Sequence, residues 1–198
     1  SLMTGAAGVC LADGDLSPGK IREISREIVY LAMSAEFERL RGGHAGRCAP
    51  LSNGEKIFLK YGVGGVRKEA MEGFPSVEVG LETYGHAMAE GAVGNDAALA
   101  ALLRIMGVCE DTNVIHRSGF GFWRGEYREK VARAAMDFDP LEPDYRVLLG
   151  LDEFLVQKNA SPGGAADLLA CTLFLYRSKI SDNINEPQNP EKTMEVAQ

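Results

Sequence analysis

The sequence predicts an all-α fold. Three observations carry this reading. Apolar residues recur at helical spacing in one segment after another. No stretch alternates apolar and polar with period two over a useful length. Pro, Ser, Asn and Gly fall where helices would start and stop. Ser17-Pro18-Gly19 opens a segment in which Ile21, Ile24, Ile28, Leu31 and Ala35 share a face, running to about Leu40. Residues 42–54, with Gly42, Gly43, Gly46, Pro50 and Gly54, read as a loop. Short helices follow over 55–61 and 65–72, and Pro75 begins a longer one reaching about Glu90. Asn95 is expected to cap Asp96–Val108, with Leu99, Leu102, Leu103 and Met106 facing inward. After a loop at 110–122, helices are expected over 123–137, 143–158 and 162–179. From Ser181 onward the polar tail, which contains Pro and Asn, is expected to lack order. Residues 1–180 therefore read as one bundle-like helical domain and 181–198 as a tail.

Composition bounds the function. A chain of 198 residues that is 45% hydrophobic can bury one sizeable core. A formal net charge of −7 argues against a general nucleic-acid binder and against an anionic membrane surface. An anionic substrate would need that charge offset locally, by arginines, helix N-termini or Mg²⁺. Cys10, Cys48, Cys109 and Cys171 are far apart and form no Cys-x-x-Cys pair, so they read as reduced thiols of a cytoplasmic protein with no zinc site. His44, His86 and His116 make no His-x-x-x-His pair. No apolar run approaches the ~20 residues of a membrane span. Ser1-Leu2-Met3-Thr4 has neither the basic flank nor the apolar stretch of a signal peptide. Of the 23 glycines, 11 cluster in charged loops at 42–54, 62–73 and 119–125. A helical scaffold brings backbone close to a ligand in such loops, although short interhelical turns also use left-handed residues.

Three polar clusters stand out. Asn159-Ala160-Ser161-Pro162-Gly163-Gly164-Ala165-Ala166-Asp167-Leu168-Leu169 opens a helix, with Ser161 a natural N-cap and Pro162 suited to the first helical position. Gly163 and Gly164 sit where a helix prefers almost anything else, at roughly 1 kcal/mol each relative to alanine. Asp167 shares their face three and four residues on, and the apolar run Leu168 to Tyr176 marks the helix as buried. Two readings stand side by side. The bare N-terminus seats a phosphate and Asp167 holds a metal ion or takes a proton. Alternatively, the glycines admit a close helix–helix contact and Asp167 caps a neighbour. The second cluster, Tyr61-Gly62-Val63-Gly64-Gly65-Val66-Arg67-Lys68-Glu69, has no preceding strand and no Gly-Lys-Ser/Thr ending, so it is not a nucleotide P-loop. The third is Glu110-Asp111-Thr112-Asn113 with His116 and Arg117. Asp111 and Asn113 are hard-oxygen ligands suited to Mg²⁺, or caps of a turn, and Arg117 could clamp a phosphate.

Together the clusters resemble the triphosphoribosyl-dephospho-coenzyme A synthase family. The similarity runs from about Asn53 to Tyr176, on Gly65-Val66-Arg67-Lys68-Glu69-Ala70 with Gly73-Phe74-Pro75, on Asp111-Thr112-Asn113-Val114 with Arg117-Ser118-Gly119, and on Asn159 to Leu169. The resemblance implies an all-helical transferase acting on ATP and 3′-dephospho-coenzyme A. The ribose 2′-hydroxyl of the latter attacks C1′ of ATP, adenine leaves, and the product is the prosthetic-group precursor of citrate lyase or malonate decarboxylase. On that reading Asp167 and Asp111 take metal or base work, with Glu69 in reserve as base. Arg67, Lys68, Arg117, Ser161 and Asn113 face substrate and phosphates, Gly163 and Gly164 give close backbone approach, and Mg²⁺ accompanies the nucleotide. Lys68 and Ser118 stand where the family has glycine, and Ser52-Asn53-Gly54-Glu55 where it has Thr-His-Gly before an acidic or amide residue. Family members carry a longer N-terminal part with a His/Asp cluster, so the match is to the C-terminal portion. This chain is therefore expected to self-associate or to join a partner bearing that part. The competing expectation from another class is a non-catalytic nucleotide- or coenzyme A-binding subunit.

Overall fold

The computed structural model describes residues 2–41 and 50–185, and among them the chain is helical with no strand. Two helices lead, α1 (Leu2–Asp13) and α2 (Pro18–Arg41). The sequence reading assigned no helix to residues 2–13, which carry Gly5 and Gly8 and no charged face. Their order comes from packing on α2: Met3, Ala6 and Cys10 form one buried stripe of mostly small side chains. A capping box starts α3 (Asn53–Tyr61). Ser52 Oγ accepts the Glu55 N–H, and the Glu55 carboxylate accepts the Ser52 N–H at 2.7 Å. Residues 42–49 of the expected loop lie outside the described residues.

α4 (Gly65–Met71), α5 (Pro75–Glu90) and α6 (Gly94–Val108) fall where the spacing predicts them. Two details of α6 differ. Its N-cap is Val93 and not Asn95, with no side chain capping it. Its most buried face is Ala97, Ala101, Leu103, Ile105 and Met106, with Leu99 and Leu102 half-buried. The expected loop at 110–122 contains two short helices, α7 (Thr112–Ser118) and α8 (Phe120–Phe122). A single π-helical turn, Trp123–Tyr127, then leads into α9 (Arg128–Asp137). Asp144 caps α10 (Tyr145–Gln157), and α11 runs Gly163–Asn185. Residues 181–185 are thus helical and not tail, and 186–198 lie outside the described residues.

α11 is the centre of the arrangement, packing on α2, α4, α5, α6 and α7. It packs tightly on α5 at Gly80, where an added Cβ would stand 2.6 Å from Thr172 Oγ1. Thr172 is fully buried and donates its hydroxyl to the Leu168 carbonyl, so no polar atom is stranded there. One apolar core links Ile21 of α2, Val77 of α5, Ile105 of α6, Val114 of α7, Val131 of α9, Leu151 of α10 and Leu168 of α11. Arg128 closes the far end of α6, donating to the carbonyls of Gly107 at 2.6 Å and Cys109 at 3.2 Å while its guanidinium lies over the Trp123 ring. The chain is therefore anchored just before it enters Glu110-Asp111. Among the described residues no helix is long and apolar enough to cross a membrane.

Candidate active site

The three sequence clusters meet at the tetrapeptide Glu110-Asp111-Thr112-Asn113. Asp111 is 1% exposed. Its Oδ1 accepts the Asn113 and Val114 N–H groups at 2.9 and 3.3 Å, capping α7. Its Oδ2 accepts the Ala165 N–H at 3.0 Å, with the Gly164 N–H beside it, capping α11. One carboxylate therefore terminates two helices from different parts of the chain. Burial pushes its pKa up, against the opposing pull of the four N–H groups from Ala165, Val114, Asn113 and Gly164. Glu110 extends the junction. It accepts the Gly64 N–H at 3.0 Å ahead of α4 and the Lys68 ammonium at 3.1 Å.

Glycines fit the other motifs around this tetrapeptide. Gly65 adopts φ 61°, and a Cβ there would lie 2.8 Å from Thr112 Cγ2. A Cβ on Gly163 would lie 2.8 Å from Asn113 Nδ2, and one on Gly164 would lie 3.1 Å from Asp111 Oδ2. Of the two readings of Gly163-Gly164, the geometry is that of the close contact. The Gly163 N–H goes to the Ser161 carbonyl and the Ala166 N–H to the Pro162 carbonyl. With Gly164 and Ala165 turned to Asp111, the first turn of α11 is satisfied within the protein. The N–H groups expected to seat a phosphate there are engaged by the protein itself. The start of α11 at Gly163 corrects the expectation that Ser161 caps the helix and Pro162 lies inside it.

Beside the junction lies a cleft of about 340 Å³ between α2, α3, α4, α7 and α11, lined by Glu36, Ser52, Gly54, Glu55, Phe58, Gly64, Val66, Arg67, Thr112, Asn113 and Asp167. Arg67, Asn113 and Asp167, one from each sequence cluster, share it. Asp167 is exposed, one turn past the capped end of α11. Arg67 is half-exposed and paired with Glu36 at 2.8 Å. Glu36 and Glu55 were missed as site residues. The Ser-x-x-Glu pattern of a capping box marked Glu55 in the sequence. Nothing near Glu36 marks it, because α2 reaches the cleft only in the fold.

The other candidates stand elsewhere. Asp111, expected as metal ligand or base, is buried with its oxygens turned to backbone donors. Glu69 is 8% exposed and accepts both the N–H and the hydroxyl of Ser76 in the first turn of α5, so its carboxylate is a helix cap. It opens with Lys68 onto a separate pocket of about 250 Å³, away from Arg67 and Asp167. Lys68 answers Glu110. Arg117 donates to Asn159 Oδ1 at 2.8 Å, bracing the loop before α11, and His116 pairs with Asn53 at 3.0 Å. Ser161 lies in an apolar groove between α6 and α10. Among the described residues no three His, Cys, Asp or Glu side chains converge as a metal site, and Cys10, Cys109 and Cys171 are free thiols. Cys48 lies outside the described residues.

A family model described as ATP:dephospho-CoA triphosphoribosyl transferase matches residues 14–185. A protein of Pseudomonas fluorescens named probable 2-(5''-triphosphoribosyl)-3'-dephosphocoenzyme-A synthase is 42% identical over 144 residues, covering 71% of this chain and 48% of the relative. A protein of the same name from Pseudomonas aeruginosa is 45% identical over 165 residues, 76% of this chain and 56% of the relative. A third, from Streptococcus mutans, is 32% identical over 181 residues, 88% of this chain and 61% of the relative. The chain spans about half the length of the curated relatives it matches. No solved structure matches it. The match takes in α2 through α11, and with them all three motifs of the junction: the chain belongs to the ATP:dephospho-CoA triphosphoribosyl transferase family.

Proposed function

We propose that the cleft binds ATP and 3′-dephospho-coenzyme A and transfers the triphosphoribosyl group of ATP to the ribose 2′-hydroxyl of the coenzyme, releasing adenine. The observation that carries this reading is the convergence of Arg67, Asn113 and Asp167 on one cleft from three distant segments. In the reaction the C1′–O2′ bond forms, the C1′–N9 bond of ATP breaks with its electron pair going to adenine, the hydroxyl proton passes to a base, and the departing adenine takes up one proton, so that the step is proton-neutral. Asp167 is the carboxylate set to take the hydroxyl proton, being exposed in the cleft wall. Arg67 would exchange Glu36 for a phosphate of the substrate, a stronger charge-assisted partner. Asn113 contributes a neutral amide at the same wall.

Mg²⁺ would arrive with the triphosphate, neutralising phosphate charge and keeping most of its waters. The Asp167 carboxylate and the Asn113 carbonyl are oxygen donors of the type it takes. The product would serve, in the cytoplasm, as prosthetic-group precursor for a citrate lyase or malonate decarboxylase. The test is incubation with ATP, Mg²⁺ and dephospho-coenzyme A, with free adenine quantified and the product weighed by mass spectrometry. Adenine released only with both substrates present, and a product heavier by the triphosphoribosyl group, is expected. ATP bound without adenine release would favour a non-catalytic nucleotide-binding subunit, and binding of neither substrate would refute both.

A further inference from the structure

We infer that Asp111 is the positioning residue of this site, setting Asn113 and Asp167 in register across the cleft. The inference rests on the reading of the cleft as the reaction site. Asn113 is two residues beyond Asp111 and its own N–H is held by Oδ1 at 2.9 Å. Asp167 is two residues beyond Ala165, whose N–H is held by Oδ2 at 3.0 Å. Both cleft residues thus hang within one turn of an amide that a single, fully buried carboxylate grips. Gly163 and Gly164 let α7 come this close, since a Cβ on either would meet Asn113 or Asp111. Glu110 adds the third helix through the Gly64 N–H, three residues before Arg67. A shift of the Asp111 carboxylate therefore moves two reacting-side groups relative to each other while leaving each on an intact helix. Misplacement of reacting groups by about 1 Å can cost about a hundredfold in rate.

The experiment compares the full chain with Asp111→Asn, Asp111→Ala and Asp167→Asn, at a temperature where circular dichroism shows every variant folded. The rate of adenine release is measured per folded protein, with KM for ATP and amide exchange at Asn113, Val114 and Ala165. Asp111→Ala is expected to lower kcat by about a hundredfold, and KM for ATP should stay within about twofold. Asp111→Asn, which retains one acceptor oxygen, should recover part of that loss. Amide exchange at α7 and α11 should quicken together in the Asp111 variants and stay unchanged in Asp167→Asn. A folded Asp111→Ala protein with kcat within about twofold of wild type would reduce Asp111 to a stabilising cap and overturn the inference. A wild-type chain that binds ATP but releases no adenine defeats the proposed reaction instead. Positioning is then decided by exchange, and acceleration confined to one helix overturns it.

Discussion

Two adjacent glycines should respond in opposite directions to one substitution. In Gly164→Ala the new Cβ would lie 3.1 Å from Asp111 Oδ2, 3.2 Å from its Cγ and 3.2 Å from Val66 Cγ2. The carboxylate cannot retreat without stretching its bonds to Ala165 on one side and to Asn113 and Val114 on the other. Weakening one charge-assisted hydrogen bond costs about 1.5–3 kcal/mol. The helix-propensity gain of alanine returns about 1 kcal/mol. The net expectation is a loss of about 0.5–2 kcal/mol. In Gly163→Ala the Cβ would meet Asn113 Nδ2 at 2.8 Å, the far end of an exposed side chain that can swing away. Most of the propensity gain survives there, so stability rises by about 0.5 kcal/mol, while Asn113 leaves its place in the cleft. Urea unfolding followed by far-ultraviolet circular dichroism reads both as midpoint shifts at unchanged slope. Changes of the same sign and size in the two variants would refute the seating of the tetrapeptide against these glycines.

Asp167→Asn should abolish adenine release and leave unfolding free energy within about 0.5 kcal/mol, because the side chain is exposed. Glu69→Ala should destabilise by about 1–2 kcal/mol through the lost α5 cap, measured as a lowered urea midpoint. Arg67→Ala should raise KM for ATP about tenfold, and Glu36→Gln should lower it a few-fold by releasing the guanidinium, both read in steady-state kinetics. Burial, followed by the Asp111 charge, pushes the Cys109 thiol well above its ordinary pKa. The native protein should therefore leave Cys109 unmodified by iodoacetamide at neutral pH, as peptide mass mapping would show, and label it once unfolded in urea.

Most of the helices were legible in the sequence because each long one carries its own apolar period and its own punctuation. Those that were not owe their order to neighbours. Residues 2–13 lack amphipathic charge, and Met3, Ala6 and Cys10 become a stripe only against α2. α7 is too short to show a period, and its start depends on the Asp111 cap. α11 was legible from its first turn, yet its continuation through residues 181–185 was not, since polar residues there gave no apolar repeat. At the site, Arg67, Asn113 and Asp167 came from motifs that the sequence displays. What those motifs do could not be read locally. Asp111, Glu69, Gly163 and Gly164 have the residue types of a catalytic or phosphate site, and only the packing of α4, α7 and α11 reveals them as caps and clearances. Glu36 entered from α2, a helix with no motif at all.

The central claim is that substrate binds in the cleft of Arg67, Asn113 and Asp167 beside a junction already satisfied within the protein. Amide hydrogen exchange of the full chain with and without Mg²⁺-ATP tests it most directly. The account predicts that nucleotide slows exchange at the cleft walls, in residues 52–58, 64–67 and 112–113, with Asn113 and Val114 protected even in its absence by the Asp111 cap. Protection confined to the apolar groove between α6 and α10, with those walls unchanged, would contradict it.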